Sequence, residues 1–167
     1  IFPQAPITDS WSSRILKKSP DDKNYKFNKN STPTKSLSLA MSLMDSLVSL
    51  DHVNKKRVYL TGLSNGAMGT YELLNKRPDM FAAATPICGA GHPDWILNYA
   101  KKTALWIVHG SDDRIVHPYY SIRMANAVIQ AGGSPKLTLY NNVKHNSWLN
   151  VFRDPIFLPW IYRHKKK

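Results

Sequence analysis

A mostly parallel α/β fold is what this 167-residue sequence predicts, and three observations carry the expectation. Four short apolar runs, 57–62, 81–87, 104–108 and 136–140, hold the branched and aromatic residues that suit strands. Between them lie stretches whose apolar residues recur at three and four, the spacing of one helical face. Strand and helix alternate, and the helical stretches are long enough for right-handed crossovers, which makes neighbouring strands parallel. The length suits a single domain over 1–167, because separate cores need about 100 residues each.

In chain order, residues 9–35 are polar, rich in Ser, Asn, Lys and Asp with Pro20 and Pro33, and are expected to form a long surface loop. From Lys35 to Asp51, the residues Leu37, Ala40, Met41, Met44, Leu47 and Val48 trace one face of a helix that packs on the sheet. Arg57–Gly62 reads as a buried strand. The chain then turns sharply through Leu63-Ser64-Asn65-Gly66 into a helical segment, Ala67–Lys76, stopped by Pro78. Phe81–Ile87 is the second strand and enters Cys88-Gly89; Ala104–Val108 is the third and enters His109-Gly110. Pro118–Ala131 places Tyr119, Ile122, Ala125, Val128 and Ile129 at helical spacing, with Gly132-Gly133 as its stop. In Lys136–Tyr140, the fourth strand, Leu137 and Leu139 alternate with Lys136 and Thr138. Ser147–Tyr162 is helix-like but interrupted by Pro155 and Pro159, and 163–167 is a basic tail.

Composition removes several classes of function. Hydrophobic residues make up 43% and charged residues 20%, enough apolar material to bury a core. Lys and Arg total 23 against 11 Asp and Glu, a formal charge of +12. These cations are scattered over the 17–35 loop, the helix ends and the tail, without interleaved aromatics, so no nucleic-acid partner is expected. No stretch approaches the roughly 18 apolar residues of a membrane span, and residues 1–10 lack the basic flank and apolar run of a signal peptide. Cys88, the single cysteine, excludes an internal disulfide and a Cys-rich zinc site. His52, His92, His117 and His164 show no ligand spacing among themselves or with carboxylates, so no metal site is expected.

The chemistry concentrates at Gly62-Leu63-Ser64-Asn65-Gly66, a G-x-S-x-G match lying between a predicted strand and a predicted helix. There the pattern has mechanical meaning. A serine held on such a strained turn needs small residues two before and two after it, so that neighbouring backbone can pass, and Gly62 and Gly66 supply them. The backbone N–H of Asn65, at the helix start, is the natural donor to an oxyanion. A serine hydroxyl is a weak nucleophile without a base to take its proton, and the base needs a third group to orient it. Loops at the carboxyl ends of later strands are the place to look. One offers Asp112 and Asp113, the other His145, in the order Ser, Asp, His.

Five ordered blocks carry a resemblance over nearly the whole chain: Phe2-Pro-Gln-Ala-Pro6, Arg57-Val-Tyr-Leu-Thr-Gly-Leu-Ser-Asn-Gly66, Phe81-Ala-Ala-Ala-Thr-Pro-Ile-Cys-Gly89, His109-Gly-Ser-Asp-Asp113 with Val116, and His145-Asn-Ser-Trp148. The sequence resembles the carboxylesterase and dienelactone-hydrolase-like branch of the α/β-hydrolases, which includes secreted esterases labelled predicted peptidases. The resemblance implies an α/β-hydrolase-type sheet flanked by helices. It carries the nucleophile onto Ser64, the acid onto Asp113 and the base onto His145. It further implies a serine esterase without cofactor, acting on a small-molecule or polysaccharide-linked ester, in a secreted or periplasmic setting.

Two departures from the family pattern stand out. His117 intervenes between Val116 and Pro118, which is expected to shift that loop only slightly. The family also places an earlier strand and a His-Gly-rich loop, source of a second oxyanion donor, ahead of the Pro-Gln segment. The chain as given is therefore expected to be N-terminally short, lacking those strands. Two other readings stay open beside the esterase: a catalytically impaired hydrolase-like binding module, and a serine peptidase of the same fold. Trp148 and Trp11 are candidates either for a substrate pocket or for simple packing. His109 is expected to hydrogen-bond beneath the acid loop, and Cys88 to be a buried small hydrophobe.

Overall fold

The computed structural model describes residues 1–16, 25–30 and 32–166. Its centre is a four-stranded parallel sheet in the order β3 (Tyr59–Leu63), β4 (Ala83–Ile87), β5 (Ala104–Gly110) and β6 (Lys136–Tyr140). The register sets Leu63 beside Ile87, Ile87 beside Val108 and Gly110 beside Tyr140, so the carboxyl ends of all four strands gather on one side. That side is where open α/β sheets bind ligands. The strand expectations hold, with each boundary within a few residues.

β4 and β5 are buried on both faces, and their sequences accordingly read as almost continuous apolar runs. Alternation along β5 sorts its side chains between two cores. Leu105 and Ile107 point into a cluster with Leu37, Tyr71, Phe81, Trp95 and Met124, built by helices α1 (Lys35–Val48), α2 (Asn65–Lys76) and α3 (Tyr119–Gln130) and by a 3₁₀ turn, Pro93–Asn98. Trp106 and Val108 point the other way, against Val151, Phe157, Trp160 and Ile161 from α4 (Trp148–Arg153) and α5 (Phe157–Tyr162). The stretch 147–162 is thus two short helices, separated where Pro155 cannot continue the first. Within the stripe expected on α1, Leu37 is fully buried, while Met41, Met44 and Val48 pack on the core edge.

One expectation needs correction. The 9–35 segment is not simply a surface loop, because its described parts contain β1 (Arg14–Leu16) and β2 (Tyr25–Phe27), paired antiparallel. Strands this short leave no periodicity to read. What fixes β2 is tertiary: Phe27 meets the Trp95 ring edge-on at 5.5 Å, and Tyr25 meets Tyr120 at 5.6 Å while its N–H bonds the Tyr120 hydroxyl. Residues 17–24 and 31 of that expected loop lie outside the described residues, as does Lys167 of the expected tail. The described part of the basic tail is hydrogen-bonded back onto the domain: the His164 carbonyl accepts from the Tyr59 hydroxyl at 3.0 Å, and Lys166 donates to the carbonyls of Lys56 and Asp79. Among the described residues, no helix is long and apolar enough to cross a membrane.

Candidate active site

Ser64 sits between β3 and α2 with φ 52° and ψ −113°, a left-handed conformation that a residue with a side chain adopts only under constraint. The constraint comes from both sides. Its N–H is tied to the Ile87 carbonyl at 2.9 Å, and its carbonyl accepts from Ala67 and Met68 in the first turn of α2. The turn is so tight that a Cβ on Gly62 would lie 2.2 Å from the Gly66 carbonyl oxygen and 2.6 Å from Thr70 Oγ1. Gly66 differs from the expectation. A Cβ there would find only Trp11 Cδ1, at 4.0 Å, so the steric demand for glycine falls on position 62 alone. The crowding is one-sided because Gly62 faces the helix backbone, whereas a side chain at position 66 would meet only the Trp11 ring.

From this turn the Ser64 hydroxyl reaches His145 Nε2 at 2.8 Å, and His145 Nδ1 reaches Asp113 Oδ2 at 2.6 Å. These three sequence candidates come from the ends of β3, β5 and β6, which the parallel register brings together. The carboxylate requires a proton on Nδ1, which leaves Nε2 as the acceptor for the serine hydroxyl. Asp112, the other carboxylate offered by the loop, is exposed and turned away, accepting from Ser111 Oγ at 2.7 Å.

Asp113 is buried with both oxygens occupied. Oδ1 accepts from the Ile115 and Val116 N–H groups at 2.9 and 3.0 Å, and Oδ2 accepts from His109 Nε2 at 3.1 Å as well as from His145. Burial pushes its carboxyl up, but the hydrogen bonds from His145, Val116 and Ile115 outweigh burial and leave it below the usual carboxylate range. The group therefore stays ionised and able to balance a protonated His145. His109 lies beneath it, fully buried. Its Nε2 also meets the Val116 carbonyl at 2.8 Å, so that nitrogen carries the proton, while Nδ1 accepts from Ser121 Oγ at 2.7 Å. Burial holds the His109 imidazole below its ordinary value, against the pull of Val116 and Asp113.

Cys88, His109 and Asp113 bring one ligand atom each within 4.8 Å of one another, a grouping that spacing along the chain does not reveal. Each is already committed to hydrogen bonds, the Cys88 thiol to Ser147 Oγ at 2.7 Å. Burial raises the thiol further from ionisation.

The remaining candidates occupy the rim. Asn65 is the first residue of α2, and its Oδ1 accepts from Ser10 Oγ at 2.8 Å. Trp148 stands edge-on to the His145 ring at 5.7 Å and also packs on the second core. Trp11 lies along α2, with its backbone against Gly69. Sequence reasoning missed Ser10, Ser12, Ser13 and Glu72. Glu72 is fully buried on α2 and accepts from Ser12 Oγ, Ser13 N and Ser13 Oγ at 2.7 to 2.9 Å. An acid beside Tyr71, Leu73 and Leu74 is a visible anomaly, but its partners lie about sixty residues away.

A parallel sheet with a strained serine at the strand-to-helix turn defines the class: an α/β-hydrolase, esterase-like in its kinship. The prolyl oligopeptidase family model matches residues 22–106, just over half of the chain, and the chain belongs to that family. The match includes Ser64 and ends before Asp113 and His145. No curated protein matches. Among solved structures, a thermostable esterase is similar at 26% identity and TM-score 0.76, over 80% of this chain and 38% of its own. Arabidopsis thaliana SOBER1 is similar in fold, at 22% identity and TM-score 0.63, over 77% of this chain and 62% of its own. So is a Pyrococcus horikoshii acylaminoacyl peptidase, at 14% identity and TM-score 0.67, over 80% of this chain and 28% of its own. The chain thus spans well under half the length of the esterase.

Proposed function

We propose that this chain carries the acyl-transfer site of a serine hydrolase that cleaves carboxylic esters. The observation that supports it is the line Ser64–His145–Asp113, with links of 2.8 and 2.6 Å, set on a strained turn. Ser64 Oγ attacks the acyl carbon while its proton passes to His145 Nε2, and the developing oxyanion takes the Asn65 N–H. Asp113 orients the imidazole and compensates its positive charge. Collapse of the tetrahedral species breaks the ester C–O bond. The alcohol leaves with the proton from His145, and the acyl group stays on Ser64. Water then attacks the acyl-enzyme with His145 again as base, releasing the acid and restoring the serine. Trp148, beside the base, and Trp11, along α2, would bound the acyl or alcohol side of a small-molecule or polysaccharide-linked ester.

Ester is preferred to amide because the similar structure at 26% identity is an esterase. The family description and the acylaminoacyl peptidase keep a peptidase as second reading. The experiment compares wild type and Ser64→Ala on a chromogenic short-acyl ester and on the matching amide, with phosphonate labelling of Ser64. Hydrolysis of the ester by wild type alone supports the reading. Equal hydrolysis by both proteins, or no label on Ser64, refutes it; preference for the amide selects the peptidase. Labelling no faster than that of an unactivated serine marks a binding module that does no chemistry.

A further inference from the structure

We infer that Asp9–Ser13 is a strap that positions the nucleophile turn, with Ser10 acting on Asn65 as its working residue; this rests on the serine-hydrolase reading above. The starting point is Glu72, a buried carboxylate that the proposed chemistry does not use. A buried charge is costly unless hydrogen-bonded. The three hydrogen bonds described to Glu72 all come from Ser12 and Ser13, so the strap supplies the donors that make this acid tolerable. One turn earlier on the same helix, a Cβ on Gly69 would lie 2.6 Å from Trp11 Cβ and 2.8 Å from its carbonyl oxygen, so the strap runs in direct backbone contact with α2. At its other end it is tied to the start of α1. Asp9 Oδ2 accepts from Ser36 N and Oγ, both at 2.7 Å, and the Ser10 carbonyl accepts from Thr34 Oγ1 at 2.6 Å.

A segment held this firmly on both sides makes one further contact, from Ser10 Oγ to Asn65 Oδ1 at 2.8 Å. That contact reaches the residue following the nucleophile, whose N–H is the proposed oxyanion donor. Gripping the Asn65 side chain limits how far its peptide plane can swing, and small misplacements of a catalytic group are expensive in rate. Ser10 is a positioning residue, since it acts through Asn65.

Ser10→Ala should lower kcat about tenfold, a fraction of what losing an oxyanion donor outright costs, with KM and the melting temperature unchanged. Asn65→Ala keeps the N–H but removes the acceptor and should match it. The double variant should be no worse than either single one, as expected for coupled residues. Ser10→Thr, which keeps a hydroxyl, should restore most of the rate. Gly69→Ala should also lower kcat, by pushing the strap away without altering any group of the triad. Wild-type kcat in Ser10→Ala, multiplicative losses in the double variant, or a raised KM at constant kcat would each overturn the inference. A silent Ser10→Ala beside an inactive Ser64→Ala defeats the strap alone, whereas an active Ser64→Ala defeats the hydrolase reading beneath it.

Discussion

Replacing Gly62 by alanine tests the geometry of the turn at Ser64 most directly. The added Cβ would lie 2.2 Å from the Gly66 carbonyl oxygen, 2.4 Å from its carbon and 2.6 Å from Thr70 Oγ1. These atoms have little room to retreat. Gly66 is inside α2, and its carbonyl accepts from Thr70 Oγ1 at 2.9 Å, so relief requires moving the helix start and Ser64 with it. Overpacking typically costs about 1–3 kcal/mol, and backbone as the obstacle places this case near about 3. At about 2–4 °C per kcal/mol for a chain of this size, the melting temperature should fall about 6–12 °C. Gly66→Ala is the control. Its Cβ meets nothing nearer than 4.0 Å, and alanine is the better helix former by about 0.5–1 kcal/mol, so a gain of about 1–4 °C is expected. Thermal unfolding by circular dichroism, with ester hydrolysis in parallel, reads both. Equal melting temperatures for the two variants, or full activity in Gly62→Ala, would refute the one-sided crowding argument.

Three further outcomes follow from the site. Asp113→Asn should cut kcat about 10³–10⁴-fold, because an amide no longer holds the Nδ1–H tautomer of His145; a loss under tenfold would remove Asp113 from its role. His109 is held neutral by burial, so the unfolded chain accepts a proton near pH 6.5 that the folded chain refuses. Its contribution to stability is therefore present above that pH and is lost as pH falls below it. The gap in melting temperature between wild type and His109→Gln should narrow from pH 8 to pH 5, and a constant gap would contradict this. Cys88, buried with its thiol pushed up by desolvation, should resist a disulfide thiol reagent in the native state and react on unfolding; rapid native labelling would show an open β4 end.

Much of the fold was legible because its signals are local. Parallel strands covered on both faces must be apolar throughout, so β4 and β5 announce themselves as runs. The turn at Ser64 is legible for a similar reason, since a strand entering a helix through so tight a corner demands glycine at position 62. Segments whose order comes from distant partners were not legible. β2 carries three residues and no pattern; the rings of Trp95 and Tyr120 hold it. The same is true of the pinned tail, whose bonds to Tyr59 and Asp79 have no sequence signature.

The candidate site divides along the same line. By itself the sequence determined the residue types, their order and the loops that hold them, because a strand end, a glycine and a reactive side chain are neighbours along the chain. Only the tertiary structure decided how the acid is held, with His145 and two backbone N–H groups keeping Asp113 ionised, and that Glu72 and Asn65 bind the Asp9–Ser13 segment to α2. Those are hydrogen bonds between groups far apart in the chain. Their strength depends on burial and on ångström-scale distances, and both exist only once the sheet has brought its carboxyl ends together.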